Sequence, residues 1–466
     1  MNIFQLVLKQ MRQRALGTWL TLLSVTLGVA LAITILILYR EAGNLFGQTS
    51  YGFDVLIGKK GSDTQLVMNT VYQLDKSPGN LPFSFYQDLL HKRQYRQYVK
   101  LAVPYVVGDS YQGKYRIVGT TPDLFGYGDD GQKLDPDKVM PYRPGDAQGE
   151  PDKRYTFASG RDFLPHKFEA IIGSDVARQT DLKIGTTFRA THGMPLPNET
   201  PDIHKTIWTV VGILAPTHTA SDRVVFLPYE SLYTIGEHEI GMLAQMYIRA
   251  GKQPPPSNVD PDDVKVYTQD ADGTFHLLPS FPDEAKEVSA VLVKARSPFA
   301  AERLIYDVSN GDIAQAINPA STMRQFFETF LKSPTYVLLA VAVLVTIVAA
   351  VGILVSIYNS VSARLREIAI LRALGATRAR VLSLICIESV LIGVVGGLLG
   401  LLVGHGLAGV ASYYFNQYVG EGIHWVHTGR VEWIYLAGVV VVALLAGLIP
   451  AFKAYQTPVA TNLVAV

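Results

Sequence analysis

Four long apolar runs punctuate the chain: Ala15 to Tyr39, Pro334 to Tyr358, Val381 to about Ala411, and Trp433 to Phe452. Each supplies the roughly 20 residues that a helix needs to cross a bilayer. Arg14 and Arg40 bracket the first run, and only Glu388 and His405 interrupt the third. A cleavable leader is the competing reading of the first run. Its length exceeds the usual apolar core of a leader, and Ala30-Leu31-Ala32 lies inside the run rather than after it, so it reads as a retained anchor. Ahead of it, Ile3, Leu6, Val7 and Met11 recur at helical spacing, with Lys9, Arg12 and Arg14 elsewhere. That pattern predicts an amphipathic elbow helix over residues 1–14 on the cytoplasmic face; a plain extension of the first span is the alternative.

The block 40–332 is patterned differently. Val99–Val107, Tyr115–Gly119, Ile207–Leu214, Val224–Leu227 and Ser289–Ala295 read as strands, rich in β-branched and aromatic residues. Phe83–Tyr98, Ser174–Leu182 and Pro298–Ser309 read as helices. Gly126–Lys153, Gly193–Asp202 and Lys252–Asp283 are dense in Pro, Gly or Asp and read as loops or insertions. Ser321–Lys332 gathers Phe326, Phe327, Phe330 and Leu331 on one side. It predicts a stalk that continues the second span outward against Glu41–Gln48, with Ser333-Pro334 as a kink or helix start. A surface helix of the large domain is the other reading. The expected fold is an α-helical membrane protein with four transmembrane helices and a large mixed α+β extracytoplasmic domain between helices 1 and 2.

Composition agrees: 48% of the 466 residues are hydrophobic and only 17% charged, below the usual quarter for soluble chains. The formal charge of +1 gives no global field for nucleic acid, and a single cysteine, Cys386, excludes a disulfide framework. Basic residues set the orientation. Lys9, Arg12 and Arg14, then Arg364, Arg366, Arg372, Arg378 and Arg380, then Lys453 flank the spans on one side, whereas the loop after the third span holds only Arg430. The positive-inside rule puts both termini in the cytoplasm and 40–332 outside. The organisation is then 15–39, 333–358, 381–411 and 433–452 in the membrane, 359–380 and 453–466 inside, and 412–432 outside.

Several residue groups invite a chemical reading. Gly58-Lys59-Lys60-Gly61-Ser62 has the composition of an anion nest, but such runs are more often solvated turns. His91, His166, His192, His204, His218, His238 and His276 show no metal-ligand spacing, so they read as ordinary surface histidines. Thr217-His218-Thr219 and Ser221-Asp222 lack a nucleophile elbow, and the chain contains no G-x-x-x-x-G-K-[ST] phosphate loop. Glu388 is costly inside a span and is a functional candidate, against the plainer reading of a structural hydrogen bond. Gly396, Gly400 and Gly404 repeat every fourth residue, a stripe for close helix approach, within the chain or to a second copy.

Between the second and third spans lies a short amphipathic segment: Ile368, Leu371 and Leu374 are apolar, whereas Arg364, Glu367 and Arg372 are polar. Gly375 is placed to end this helix and Thr377 to cap the next. Residues Arg366 to Thr377 read R-E-I-A-I-L-R-A-L-G-A-T, and here the sequence strongly resembles the coupling region of the MacB/FtsX/LolC-LolE-type ABC transporter permeases. Pro450-Ala451 with Thr457-Pro458-Val459 resembles that family's closing segment, and Gly160-Arg161, Ala170–Gly173, Lys183–Gly185 and Trp208–Ile213 resemble its periplasmic core domain. The three insertions and the final Asn462-Leu463-Val464 depart from the pattern.

The resemblance implies a multi-pass permease subunit of the bacterial inner membrane. It implies no cofactor bound by this chain, with ATP and Mg on a separate cytoplasmic ABC ATPase. The segment comprising Arg366, Glu367, Ile370, Leu371, Arg372, Ala373, Leu374, Gly375, Ala376, Thr377 and Arg378 would dock on that ATPase. A homodimer or a related permease is the implied partner, with room for a periplasmic or outer-membrane component. Motion of the outer domain would export or extract a lipoprotein, peptide or drug-like substrate. An FtsX-like regulator of a cell-envelope protein is the nearest alternative; a membrane-anchored enzyme and a sensory receptor stand further off.

Overall fold

The computed structural model describes residues 7–456 except 8, 10, 14, 47–51, 75, 126–154, 196–198, 218, 254–266, 279–282, 374 and 420–423. The chain divides into two compact units, one holding the long helices and the other built chiefly from Gly47–Phe326.

The second unit contains, in chain order, β1 (Val55–Lys59), β2 (Leu81–Pro82), β3 (Val99–Tyr111), β4 (Tyr115–Thr120), β5 (Phe157–Gly160), β6 (Glu169–Ile172) and β7 (Thr187–Thr191). There follow β8 (Ile203–Leu214), β9 (Val224–Pro228), β10 (Tyr267–Gln269), β11 (Phe275–Leu277), β12 (Glu287–Val288), β13 (Ala290–Ala295) and β14 (Ala314–Ile317). The main sheet runs β14-β1-β13-β3-β4-β9-β6-β8-β5, with β7 paired to both β3 and β8. The long β3 is its seam. Its first half pairs antiparallel with β13 and its second half with β4, with a register shift between Val107 and Ser110.

Each half of the sheet closes its own core. Val55, Ile57, Val291 and Val293 pack with Leu89 and Leu304 from two covering helices, Phe83–His91 and Pro298–Ser309. Tyr115, Ile117, Ile172, Val210, Val225 and Trp208 fill the second core. Burying Trp208 requires a partner for its indole N–H, and Ser231 Oγ accepts it at 3.1 Å.

The expected strands all form, and the helix Pro298–Ser309 forms with the bounds read from the pattern, capped by Ser297. Phe83–Tyr98 is instead two helices, broken where Lys92 adopts an extended ψ of 127°. Lys252–Asp283 contains the hairpin β10–β11, whereas Gly126–Lys153 lies outside the described residues. Gly58 and Lys59 belong to β1 and Ser62 caps the following helix by accepting from the Gln65 N–H, so the nest reading gives way to a strand end and a cap.

In the helical unit, Ala15–Phe46, Ser333–Ala363, Arg378–Val419 and Arg430–Gln456 outlast their apolar runs. Among the described residues, four helices are long and apolar enough to cross a membrane. Val25, Val29, Ile33, Ile353, Ile357, Ile385, Ile392 and Ala443 form the shared interior. Val337, Leu344, Val348 and Val351 of the second helix are exposed. Ahead of it, helical residues Pro319–Phe326 lead into a π-helical stretch, Phe327–Lys332. Pro334, which has no N–H to donate to Phe330, follows directly. The expected kink at Ser333-Pro334 is thus a widened turn. Phe327 meets Tyr39 of the first helix at a ring separation of 5.4 Å, and a Cβ on Gly43 would lie 3.6 Å from Phe327 Cζ; Gln48 lies outside the described residues. Of the elbow segment, Met11–Gln13 are helical and the Met11 carbonyl accepts from Thr18 Oγ1, while most of the rest lies outside the described residues.

Candidate functional site

The segment joining the second and third membrane helices folds as its pattern predicts. Leu365–Ala373 is helical, and Gly375 takes a φ of +99°, the left-handed conformation that ends a helix at little cost only for glycine. Thr377 Oγ1 then accepts from the Arg380 N–H at 3.3 Å, starting the third helix. Its sides divide differently from the expectation. Ala369 is buried and Ile368 half-buried against the membrane helices, whereas Ile370 is 44% exposed beside exposed Arg366, Glu367, Ala373, Thr377 and Arg378. Arg372 and Ala376 are half-buried, the Leu371 side chain is not described, and Leu374 lies outside the described residues. The result is a short helix with one side fixed in the helical unit and an apolar residue among charges on the other.

Glu388 lies behind this helix rather than in lipid. It is 8% exposed and borders a crevice with Arg364, Glu367, Ile368 and Ile385. The glycine stripe has an intramolecular partner. A Cβ on Gly396 would fall 2.9 Å from Val25 Cγ1, one on Gly400 2.5 Å from Val29 Cβ, and one on Gly404 2.8 Å from Ile33 Cβ. The four-residue repeat of the third helix therefore meets a four-residue repeat of β-branched side chains on the first.

Two groups were not found by sequence reasoning. At the far ends of the same helices, Arg40 Nη1 donates to Glu432 Oε1 at 2.8 Å and Arg40 Nε to Glu41 Oε1 at 3.1 Å. His405 Nε2 lies 2.9 Å from Glu432 Oε2, and its Nδ1 contacts the Trp425 carbonyl. Four residues from three helices thus form one polar network around Glu432, which is 2% exposed. The pairing of Arg40 with Glu432 had no local sequence signal.

In the sheet unit, His192, His204 and His238 converge on Asp109, with one ligand atom of each within 4.8 Å of the others. His204 is 5% exposed and His238 half-buried, so these two depart from the surface-histidine expectation, whereas His192 is exposed as expected. Spacing was silent because each residue arrives on a different element. By contrast His276 is exposed and pairs with Asp270, and Asp222 accepts from the Thr217 N–H and hydroxyl within its turn, a structural role in place of a hydrolase triad.

Comparison with known proteins matches the MacB-like periplasmic core domain over residues 18–269, more than half the chain, and the FtsX-like permease C-terminal domain over residues 339–459. The macrolide export ATP-binding/permease protein MacB of Neisseria meningitidis is 34% identical over 103 residues, covering 22% of this chain and 15% of that relative. The uncharacterized ABC transporter permease YknZ of Bacillus subtilis is 32% identical over 124 residues, 26% of this chain and 29% of YknZ. The permease MJ1507 of Methanocaldococcus jannaschii is 29% identical over 144 residues, 31% of this chain and 35% of its own. The matches thus span about a third or less of these relatives' lengths. The FtsX-like match lies in the helical unit and the MacB-like match runs from the first long helix into the sheet unit, and the chain belongs to the MacB/FtsX-like family of ABC transporter permeases.

Proposed function

We propose that this permease serves an ATPase carried on a separate polypeptide, which docks on the exposed side of Leu365–Ala373 and the Gly375–Arg378 turn. The supporting observation is that helix itself: Ile370 is solvent-facing among Arg366, Glu367 and Arg378, while Ala369 is buried in the helical unit. An apolar residue ringed by charge suits a groove on a partner, and its buried side suits transfer of a push into the helices. ATP binding and hydrolysis drive this helix, the adjoining spans and the stalk, and the outer domain works on an export or extraction substrate at the outer face. Both termini lie in the cytoplasm, as the basic flanks favour. A second permease, as a homodimer or a related chain, completes the unit. Export rather than regulation is favoured by the MacB-like core domain and by the export function in the MacB relative's name.

The test is affinity purification from the native host in nanodiscs, with wild type and Glu367→Lys side by side. Wild type should retain a Walker-motif ATPase, and the charge reversal should lower its recovery at least about tenfold, equivalent to roughly 1.4 kcal/mol. Equal recovery with both, or none with either after mild crosslinking, would refute docking at this helix.

A further inference from the structure

We infer that Asp109, His192, His204 and His238 form a binding site for a divalent transition ion of the Zn²⁺ class in the outer domain.

The argument begins with geometry. Asp109 Oδ2 lies 3.3 Å from His204 Nε2 and 3.4 Å from His238 Nε2, and Oδ1 lies 3.8 Å from His192 Nδ1. Four ligands at about 2.0–2.1 Å around a tetrahedral ion are separated from one another by about 3.3–3.4 Å. Two of these separations therefore equal the edge of such a tetrahedron, and one ligand atom from each of the four residues lies within 4.8 Å of the others. The imidazole rings stand 5.1 to 5.5 Å apart, centroid to centroid, grouped around one carboxylate. Asp109 Oδ2 is itself buried and receives no well-aligned hydrogen bond, although two ring nitrogens are within 3.4 Å of it.

The surrounding groups hold the ligands in register. His238 Nδ1 lies 3.2 Å from the Leu232 carbonyl, which holds a proton on Nδ1 and turns Nε2 toward Asp109. The Gly193 N–H donates to Asp109 Oδ1 at 3.2 Å. Asp109 itself falls within the register shift of β3 between Val107 and Ser110, where an irregular strand re-aims a side chain. His192 follows β7, His204 sits in β8 and His238 in the first turn of the helix Gly236–Arg249. The site is backed by buried Asp109 and His204, and half-exposed His192 leaves a route for the ion from solvent.

Donor chemistry selects the class. Three imidazoles and one carboxylate suit Zn²⁺ and its neighbours, whereas Ca²⁺ and Mg²⁺ require six or more oxygens and Cu⁺ favours sulfur. A bound ion would join β3, the β7–β8 hairpin and the helix Gly236–Arg249, so it should also stabilise the outer domain.

The test uses the full chain in detergent or nanodiscs, stripped with chelator and dialysed against Zn²⁺ or Co²⁺. The expected result is one ion per chain by elemental analysis and, with Co²⁺, the intense visible absorption of a four-coordinate site. His192→Ala, whose side chain is half exposed, should weaken Zn²⁺ more than tenfold in competition with a chromogenic chelator. His204→Gln should do the same, whereas His166→Ala and His276→Ala should match wild type. Absence of stoichiometric uptake by wild type, or uptake that His192→Ala and His204→Gln leave unchanged, would overturn the assignment.

Discussion

At the scale of single residues, buried polar groups carry the sharpest expectations. Asp162 accepts one hydrogen bond, from the Phe163 N–H, while its Oδ2 receives none. Burial first, then the charges of Asp123 and Glu169, push its carboxyl from an ordinary 3.8 up to about 8, against the opposing Phe163 amide and Arg161. The folded chain therefore keeps a proton that the unfolded chain releases near pH 4. Stability is fully present below that value, falls as pH rises toward about 8, and stays lost above it. Asp162→Asn should remove this decline, seen as a flatter dependence of the unfolding temperature between about pH 5 and pH 8. Parallel curves for variant and wild type would contradict it. Glu432 is also buried, with Arg40 and His405 hydrogen-bonded beside it. Truncation by Glu432→Ala should cost about 3 kcal/mol, read as a lower unfolding temperature in detergent, because it leaves the Arg40 charge without its main counter-ion. A change within error would show the network to be dispensable.

At the scale of elements, patterns that repeat within one segment were readable and partners across segments were not. The helix Leu365–Ala373 ends at Gly375 because glycine alone accepts a φ of +99° cheaply, and that could be read from one short stretch. Which side of it faces outward could not, since Ile368 packs against a cluster that includes residues of helices distant in sequence, such as Val25 and Ala443. The glycine stripe was legible as a contact surface, but its partner was not, because Val25, Val29 and Ile33 lie in another span. This packing gives a contrast test. Gly400→Leu drives side-chain atoms into Val29 and should cost about 1–3 kcal/mol or more, whereas Gly406, where a Cβ meets nothing within 4 Å, should accept leucine with little loss. Equal unfolding temperatures for the two variants in detergent would rule out the intramolecular packing.

At the scale of the molecule, the long apolar helices and the family were the most legible properties, because a bilayer demands long uninterrupted apolar runs and the segment Arg366–Thr377 carries a compact signature. The cluster around Asp109 was illegible for the converse reason. Its four members are drawn from a strand irregularity, a hairpin and a helix start between Asp109 and His238, and only the folded sheet brings them together. The meshing of the first and third membrane helices has a consequence for movement. Glycines and β-branched residues alternate in step, so any slip other than four residues, about 6 Å, sets a side chain against backbone. The pair is geared like a rack and cannot creep. Sliding of one helix along the other is therefore opposed at each of the three contacts, whereas the outward side of the second helix, with Val337, Leu344 and Val348, is exposed among the described residues.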